Sequence, residues 1–326
     1  MTNPFYEPST LPFGMPPFAD IEDEHYAPAF EKGMAEQLTE IDAITAQTEA
    51  PSFDNTMLPL EKSGQLLNRV AIVFFNKTSA DSNAATDALE EVIAPQLAAH
   101  NDAISLNSAL YERIRSIRDT LDSTDLDAEA RYLVERYFTE FTLAGAGLSE
   151  EDKTTLRNYN SRLSSLTTKF EKNLLADTND LAVVVDNVEE LDGLDASEIS
   201  AAASAANDRG LTGKYLITLI LPTNQPHLSL LKNADVRGRV MAASRTRGIR
   251  GGAFDNRELV LEIATLRSQR AALLGYDSHA AWVTADGTAQ NPQRVADMLG
   301  KLAPAAARNA RDEHAALEKL AGTEVT

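Results

Sequence analysis

The chain has 326 residues, a formal net charge of −19 and no cysteine, with 43% hydrophobic and 24% charged residues. A chain this long can bury about three-quarters of its unfolded surface, and the composition is that of an ordinary globular protein. The charge argues against nucleic acid and anionic membranes as partners, and the lack of cysteine excludes disulfides, thiol nucleophiles and Cys-ligated zinc. No apolar run approaches the roughly 20 residues of a membrane span, and MTNPFYEPST lacks a basic region followed by an apolar one. A cytoplasmic location is the expectation.

In chain order, residues 3–24 read as an extended arm, because five prolines (Pro4, Pro8, Pro12, Pro16, Pro17) prevent a continuous helix. Phe5, Tyr6, Phe13 and Phe18 can pin that arm to a helical surface. Pro28 suits a first helical turn, and Phe30, Met34, Leu38, Ile41 and Ile44 follow at helical spacing. A second helix with Leu60, Leu67, Val70, Ala71 and Phe74 inward follows Pro51–Thr56. A third, near Asn83–Leu106, is expected to kink or break at Pro95. Helices over Ser108–Thr120 and Asp127–Leu143 precede the turn Ala144–Gly147. The helix from Ser149 to about Ala176 carries the stripe Leu156, Tyr159, Leu163, Leu166, Phe170 and Leu174.

The period then changes. Leu181–Asp186 and Tyr215–Leu221 are β-branched-rich runs of strand length, with an alanine-rich helix around Ala196–Arg209 between them. Pro222 and Pro226 close that region, and helix resumes at Asn233–Arg245. The division that results is an arm at 1–24, a helical subdomain at 25–176, and a second at 177–326 with a small β insertion at about 180–222. In Phe254–Trp282, Asp255 is expected to cap a helix, with Glu258 completing a capping box. Leu259, Ile263, Leu266 and Leu273 form its inward stripe, flanked by Val260, Ala264, Ala271 and Leu274. Gly275 ends that helix, and Ser278 caps the next one, which carries Trp282.

The run Arg267-x-x-Arg270-Ala271-x-Leu273-Leu274-Gly275-Tyr276-x-x-His279-Ala280-x-Trp282, with Asp255-Asn256-Arg257 before it, resembles the signature helix pair of M3-type zinc metallopeptidases. Asn3-Pro4-Phe5, Ser9-Thr10-Leu11-Pro12, Pro17-Phe18, His25-Tyr26-x-Pro28-Ala29-Phe30 and Gly33-Met34 resemble the opening of the bacterial peptidyl-dipeptidases of that family. Leu60-Glu61, Ser63-Gly64-x-Leu66-Leu67 and the turn Leu191-Asp192-Gly193-Leu194 extend the resemblance over essentially the whole chain. It implies a mainly α fold, the helical N-terminal half of a neurolysin- or M3-like peptidase with a small β-sheet subdomain. It also implies a full-length parent that uses zinc-activated water to remove C-terminal dipeptides from oligopeptides. This chain would form a wall of the channel that admits short peptides.

The family's zinc site is a helical His-Glu-x-x-His pair with a later glutamate. None of the five histidines (His25, His100, His227, His279, His314) begins that motif, so catalytic and metal residues are both assigned as none. Zinc is expected in the full-length parent and not in this chain. The implied partners are short peptides and a missing C-terminal catalytic half. His100 is in register with Ile93, Leu97 and Ile104 and reads as a core histidine rather than a ligand. His25 with Glu22, Asp23 and Glu24 reads either as a divalent-ion chelate or as an acidic helix approach. His314 and Glu318 share a helix face, and two ligands make no closed site. Tyr276 and His279 are the substrate-channel candidates, with helix-junction packing as the alternative. Arg245–Gly252 lacks the preceding strand and the Lys-Ser/Thr of a phosphate loop, and no serine has an elbow motif. The competing reading is a stand-alone helical module that binds peptides or another protein without peptidase activity.

Overall fold

The computed structural model describes residues 3–325. Its helices are α1 (Tyr26–Thr45), α2 (Leu58–Glu61), α3 (Gln65–Ala80), α4 (Ala84–Ser105), α5 (Ser108–Asp119), α6 (Ala128–Ala144) and α7 (Glu150–Asp180). Strand β1 (Val183–Val185), α8 (Ala196–Asp208), β2 (Tyr215–Ile217), α9 (Leu221–Leu230) and α10 (Ala234–Arg245) follow. The chain closes with α11 (Arg257–Leu273), α12 (His279–Ala285) and α13 (Pro292–Ala321). The fold is mainly α, with one two-stranded antiparallel sheet that pairs Val183 with Ile217 and Val185 with Tyr215.

The chain divides into two compact units. One comprises Met1–Phe74, Ala99–Tyr159 and Leu266–Thr326; the other comprises Phe75–Ala98 and Asn160–Thr265. In the first, Ile41 and Ile44 of α1 meet Leu110, Ile114 and Ile117 of α5 and Val134 and Phe141 of α6 in a buried cluster. Arg113 is buried beside it. Its guanidinium donates to Thr56 Oγ1 at 3.1 Å, Asn55 Oδ1 at 2.9 Å and the Gln47 carbonyl at 3.2 Å, so each of its three nitrogens meets an acceptor. The core of the second unit joins Val183, Val185 and Ile217 of the sheet to Ala202 of α8 and to Val236 and Val240 of α10.

Several expectations change. Of the four aromatics in the arm, Phe5 is buried 5.5 Å from Tyr26, and Tyr6 carries Lys32 over its ring at 4.0 Å. Arg69 fixes that stretch by donating to the Phe5 and Tyr6 carbonyls. Phe13, in a left-handed conformation at φ 60°, and Phe18 are exposed and pin nothing. The second helix is split at Lys62–Gly64, where the Gly64 N–H donates to Glu40 Oε2 at 2.7 Å. Helix α4 runs through Pro95 without a break. The carbonyl that loses its donor belongs to the exposed Glu91, where water can replace it. Both strands are shorter than their β-branched runs, and Leu221, expected to end a strand, begins α9. Pro222 lies in the first turn of α9, where its missing N–H costs no helical bond.

Two measurements test this packing. Gly193 has φ +107°, and a methyl group built there would lie 2.0 Å from the Leu230 carbonyl oxygen, whereas Gly210 (φ +72°) has open space. In urea unfolding, Gly193→Ala is expected to cost more than about 3 kcal/mol and Gly210→Ala about 1–2 kcal/mol. Equal losses would contradict the close approach. His100 is buried with Nε2 2.7 Å from Gln37 Oε1, and burial holds its imidazole below the ordinary 6.5. The unfolded chain therefore takes up that proton first, so the histidine's share of stability is intact above about pH 6.5 and is lost as pH falls below it. Replacing it in His100→Gln should flatten the pH dependence of unfolding between pH 5 and 6.5 by up to about 1.4 kcal/mol per pH unit. An unchanged slope would show that the imidazole is not held neutral.

Candidate functional site

The helix pair α11–α12 holds both sequence-nominated residues, and its turn is built from local chemistry. Gly275 adopts φ +82°, its N–H donates to the Ala272 carbonyl at 3.0 Å, and the Tyr276 N–H donates to Ala271 at 2.9 Å. This double closure is a Schellman end, and only a residue tolerant of positive φ completes it at low cost. Ser278 Oγ then accepts from the Ala281 N–H at 3.1 Å, which starts α12. The beginning of α11 differs from expectation. The helix starts at Arg257, so Asn256 holds the cap position. The Asp255 carboxylate accepts instead from the Gly251 N–H at 2.7 Å and from the Arg257 backbone and guanidinium. Those bonds hold Asp255 well below the usual carboxylate range, with the Arg257 side chain as the main cause. Along α11, Ile263 and Ala271 are buried and Leu259, Leu266 and Leu273 half-buried, but Val260 is 49% exposed and lies outside the inward stripe.

Trp282 is the centre of this junction. Its Nε1–H donates to the Leu143 carbonyl at the end of α6, 3.0 Å away. The Arg270 guanidinium sits 4.4 Å above the ring centroid, and the His279 ring stacks at 5.7 Å and 28°. A guanidinium over an indole face gains about 0.5–2 kcal/mol, so Arg270 takes part in packing as well as carrying charge. Burial lowers the Arg270 pKa, Arg267 lowers it further and Asp102 opposes them. His279 is also lowered, first by burial and then by Arg267 and Arg270. Its imidazole is therefore neutral at pH 7, and its buried Nδ1 has no hydrogen-bond partner among the described residues. Tyr276 lies half-buried in the turn. The structure thus brings His279, Trp282 and Arg270 together, with Tyr276 three residues before His279 in the same turn. Sequence reading missed the stacking role of Arg270; its spacing of twelve residues from Trp282 across a Gly-Tyr turn was the available signal.

The other histidines are engaged locally. His25 Nδ1 accepts from the Glu22 N–H at 2.9 Å in a capping box, and His314 Nε2 lies 2.8 Å from the Val325 carbonyl oxygen. His227 is buried with Glu198 at 3.7 Å; burial lowers its pKa, while Glu198 opposes the shift. Among the described residues, no group of three His, Asp or Glu side chains is placed to hold a metal. The residues present therefore do not fit a zinc centre, which takes three or four converging ligands. The glycine-rich loop is a structural clamp in the second unit. Buried Asp177 accepts from the Gly248 N–H at 2.6 Å and from Arg250 at 2.5 Å. Burial pushes the Asp177 pKa up, but Arg250 and that N–H outweigh it and leave the group below its ordinary value.

Residues 228–325 match the family model described as peptidase family M3. The chain is 38% identical over 318 residues to dipeptidyl carboxypeptidase of Escherichia coli (strain K12), covering 98% of this chain and 47% of that protein. It is 30% identical over 313 residues to oligopeptidase A of Haemophilus influenzae (95% and 45%), and 29% identical over 328 residues to oligopeptidase A of Escherichia coli (99% and 48%). On these matches the chain is a relative of the family M3 peptidases, spanning about half the length of the curated proteins it matches.

Proposed function

We propose that this chain is the non-catalytic N-terminal portion of a peptidyl-dipeptidase, a metallopeptidase that removes C-terminal dipeptides from oligopeptides. The observation that carries the reading is the alignment itself: 98% of this chain is taken up by 47% of a dipeptidyl carboxypeptidase. A chain without His-Glu-x-x-His and, among the described residues, without a convergent ligand set would then leave zinc, and the water it activates, to the remaining half. No helix among the described residues is long and apolar enough to cross a membrane, which is compatible with action on soluble peptides in the cytoplasm. The same reading assigns Tyr276 and His279 to the wall of the substrate channel.

The most direct test is to read the nucleotide sequence beyond the codon for Thr326. A continuing frame that reaches His-Glu-x-x-His is expected; a stop codon there would favour a stand-alone binding module instead. In the longer enzyme, Tyr276→Ala and His279→Gln should each raise KM for oligopeptides several-fold with kcat largely kept, the pattern of lost ground-state binding. An unchanged KM would leave both residues as junction packing alone.

A further inference from the structure

Helix α13 is 30 residues long, and none of them is buried. It is nonetheless sharply two-sided. At about 100° per residue, Val295, Met298, Leu299, Leu302, Leu317 and Leu320 fall on one face, with Ala306 and Ala310 between the two leucine clusters. Met298, Leu299, Leu302, Leu317 and Leu320 are 54%, 53%, 60%, 52% and 86% exposed. Asp297, Lys301, Arg308 and Arg311 occupy the other side. Pro304 also lies there, opposite Leu302, so the donor it lacks leaves the apolar stripe uninterrupted. Only Asn309 and Glu313 break the stripe, hydrogen-bonded to each other at 2.8 Å. A long helix with an apolar face left in water derives little stability from packing, which is where most helical stability arises.

We propose that this face of α13 is the docking surface for the remaining half of the parent polypeptide, an inference that rests on the reading under Proposed function. The fitting surface is apolar and helical, with a donor or cation opposite Glu313. Two observations select this occupant. The matched relatives contain about as much chain again as the part this one matches. A second copy of α13 is a poor partner. In an antiparallel pair that sets Leu299 and Leu302 against Leu320 and Leu317, each Glu313 falls against Ala306 of the other copy. A parallel pair sets Glu313 against Glu313. Either arrangement buries a carboxylate without a counter-charge, which is strongly unfavourable.

Hydrogen–deuterium exchange of the α13 amides tests this, comparing the 326-residue chain with the polypeptide made from the whole reading frame. Exchange in the longer polypeptide should be at least about tenfold slower. There, Leu302→Asp should abolish the slowing and reduce dipeptide release, whereas Ala315→Asp on the opposite face should leave both unchanged. In the 326-residue chain neither substitution should move Tm, because both positions are exposed. If the longer polypeptide cleaves peptides while its α13 exchanges as fast as in the short chain, the docking surface is wrong and the peptidase reading stands. If the frame stops at Thr326, that reading fails and takes this one with it. If α13 becomes protected in the short chain as a dimer forms in sedimentation, the occupant is a second copy and the proposal is overturned.

Discussion

Trp282 is packed against the Arg270 guanidinium and the His279 ring and anchored at its edge to the Leu143 carbonyl. This arrangement fixes the end of α11 against α12, ties both to the end of α6, and sets the point from which the chain enters α13. It also decides the chemistry available there. A histidine held neutral by burial beside two arginines, with its ring stacked on indole, is poorly disposed to bind a proton. The junction orients helices, and the residues that resemble the family signature are largely the ones that do so.

The same economy applies to the charged groups inside each unit. Lys153 is buried with its ammonium on Ser108 Oγ and Glu150, Arg113 caps the turn before α2, and Asp177 clamps the loop after α10. Each has partners enough to offset its desolvation, and each ties together segments distant in sequence. Such groups hold a scaffold in one conformation. They differ from a reactive centre, where a lone acid, base or nucleophile keeps an open coordination or hydrogen-bonding position.

Much of the fold was legible because helical periodicity is strong where a helix packs on one side. Leu156, Leu163 and Leu166 of α7, and Val70 and Phe74 of α3, are buried as their spacing predicts. The Gly275 turn and the Ser278 cap follow from local chemistry that needs no tertiary knowledge. What escaped the sequence depended on distant partners. Asp255 looks like a helix cap until the loop at Gly251 competes for its oxygens. The β-branched runs overstate strand length because only three residues of each find a pairing neighbour. Of the candidate site, the sequence nominated Tyr276 and His279 through their resemblance to the family signature, but the stacking of Arg270 and His279 on Trp282 was not legible. Periodicity reports which face of a helix is apolar and does not report what lies over a ring.

Among the described residues no ligand set converges on a metal, and the chain is similar to peptidases about twice its length; both observations accord with the proposal that the reactive centre lies in the part of the parent outside this chain. The sharpest measurement is dipeptide release from oligopeptides by the purified 326-residue chain with zinc supplied. No release above the zinc-only rate is expected at any zinc concentration. Zinc-dependent turnover that co-purifies with this chain and is free of contaminating peptidase would contradict the account.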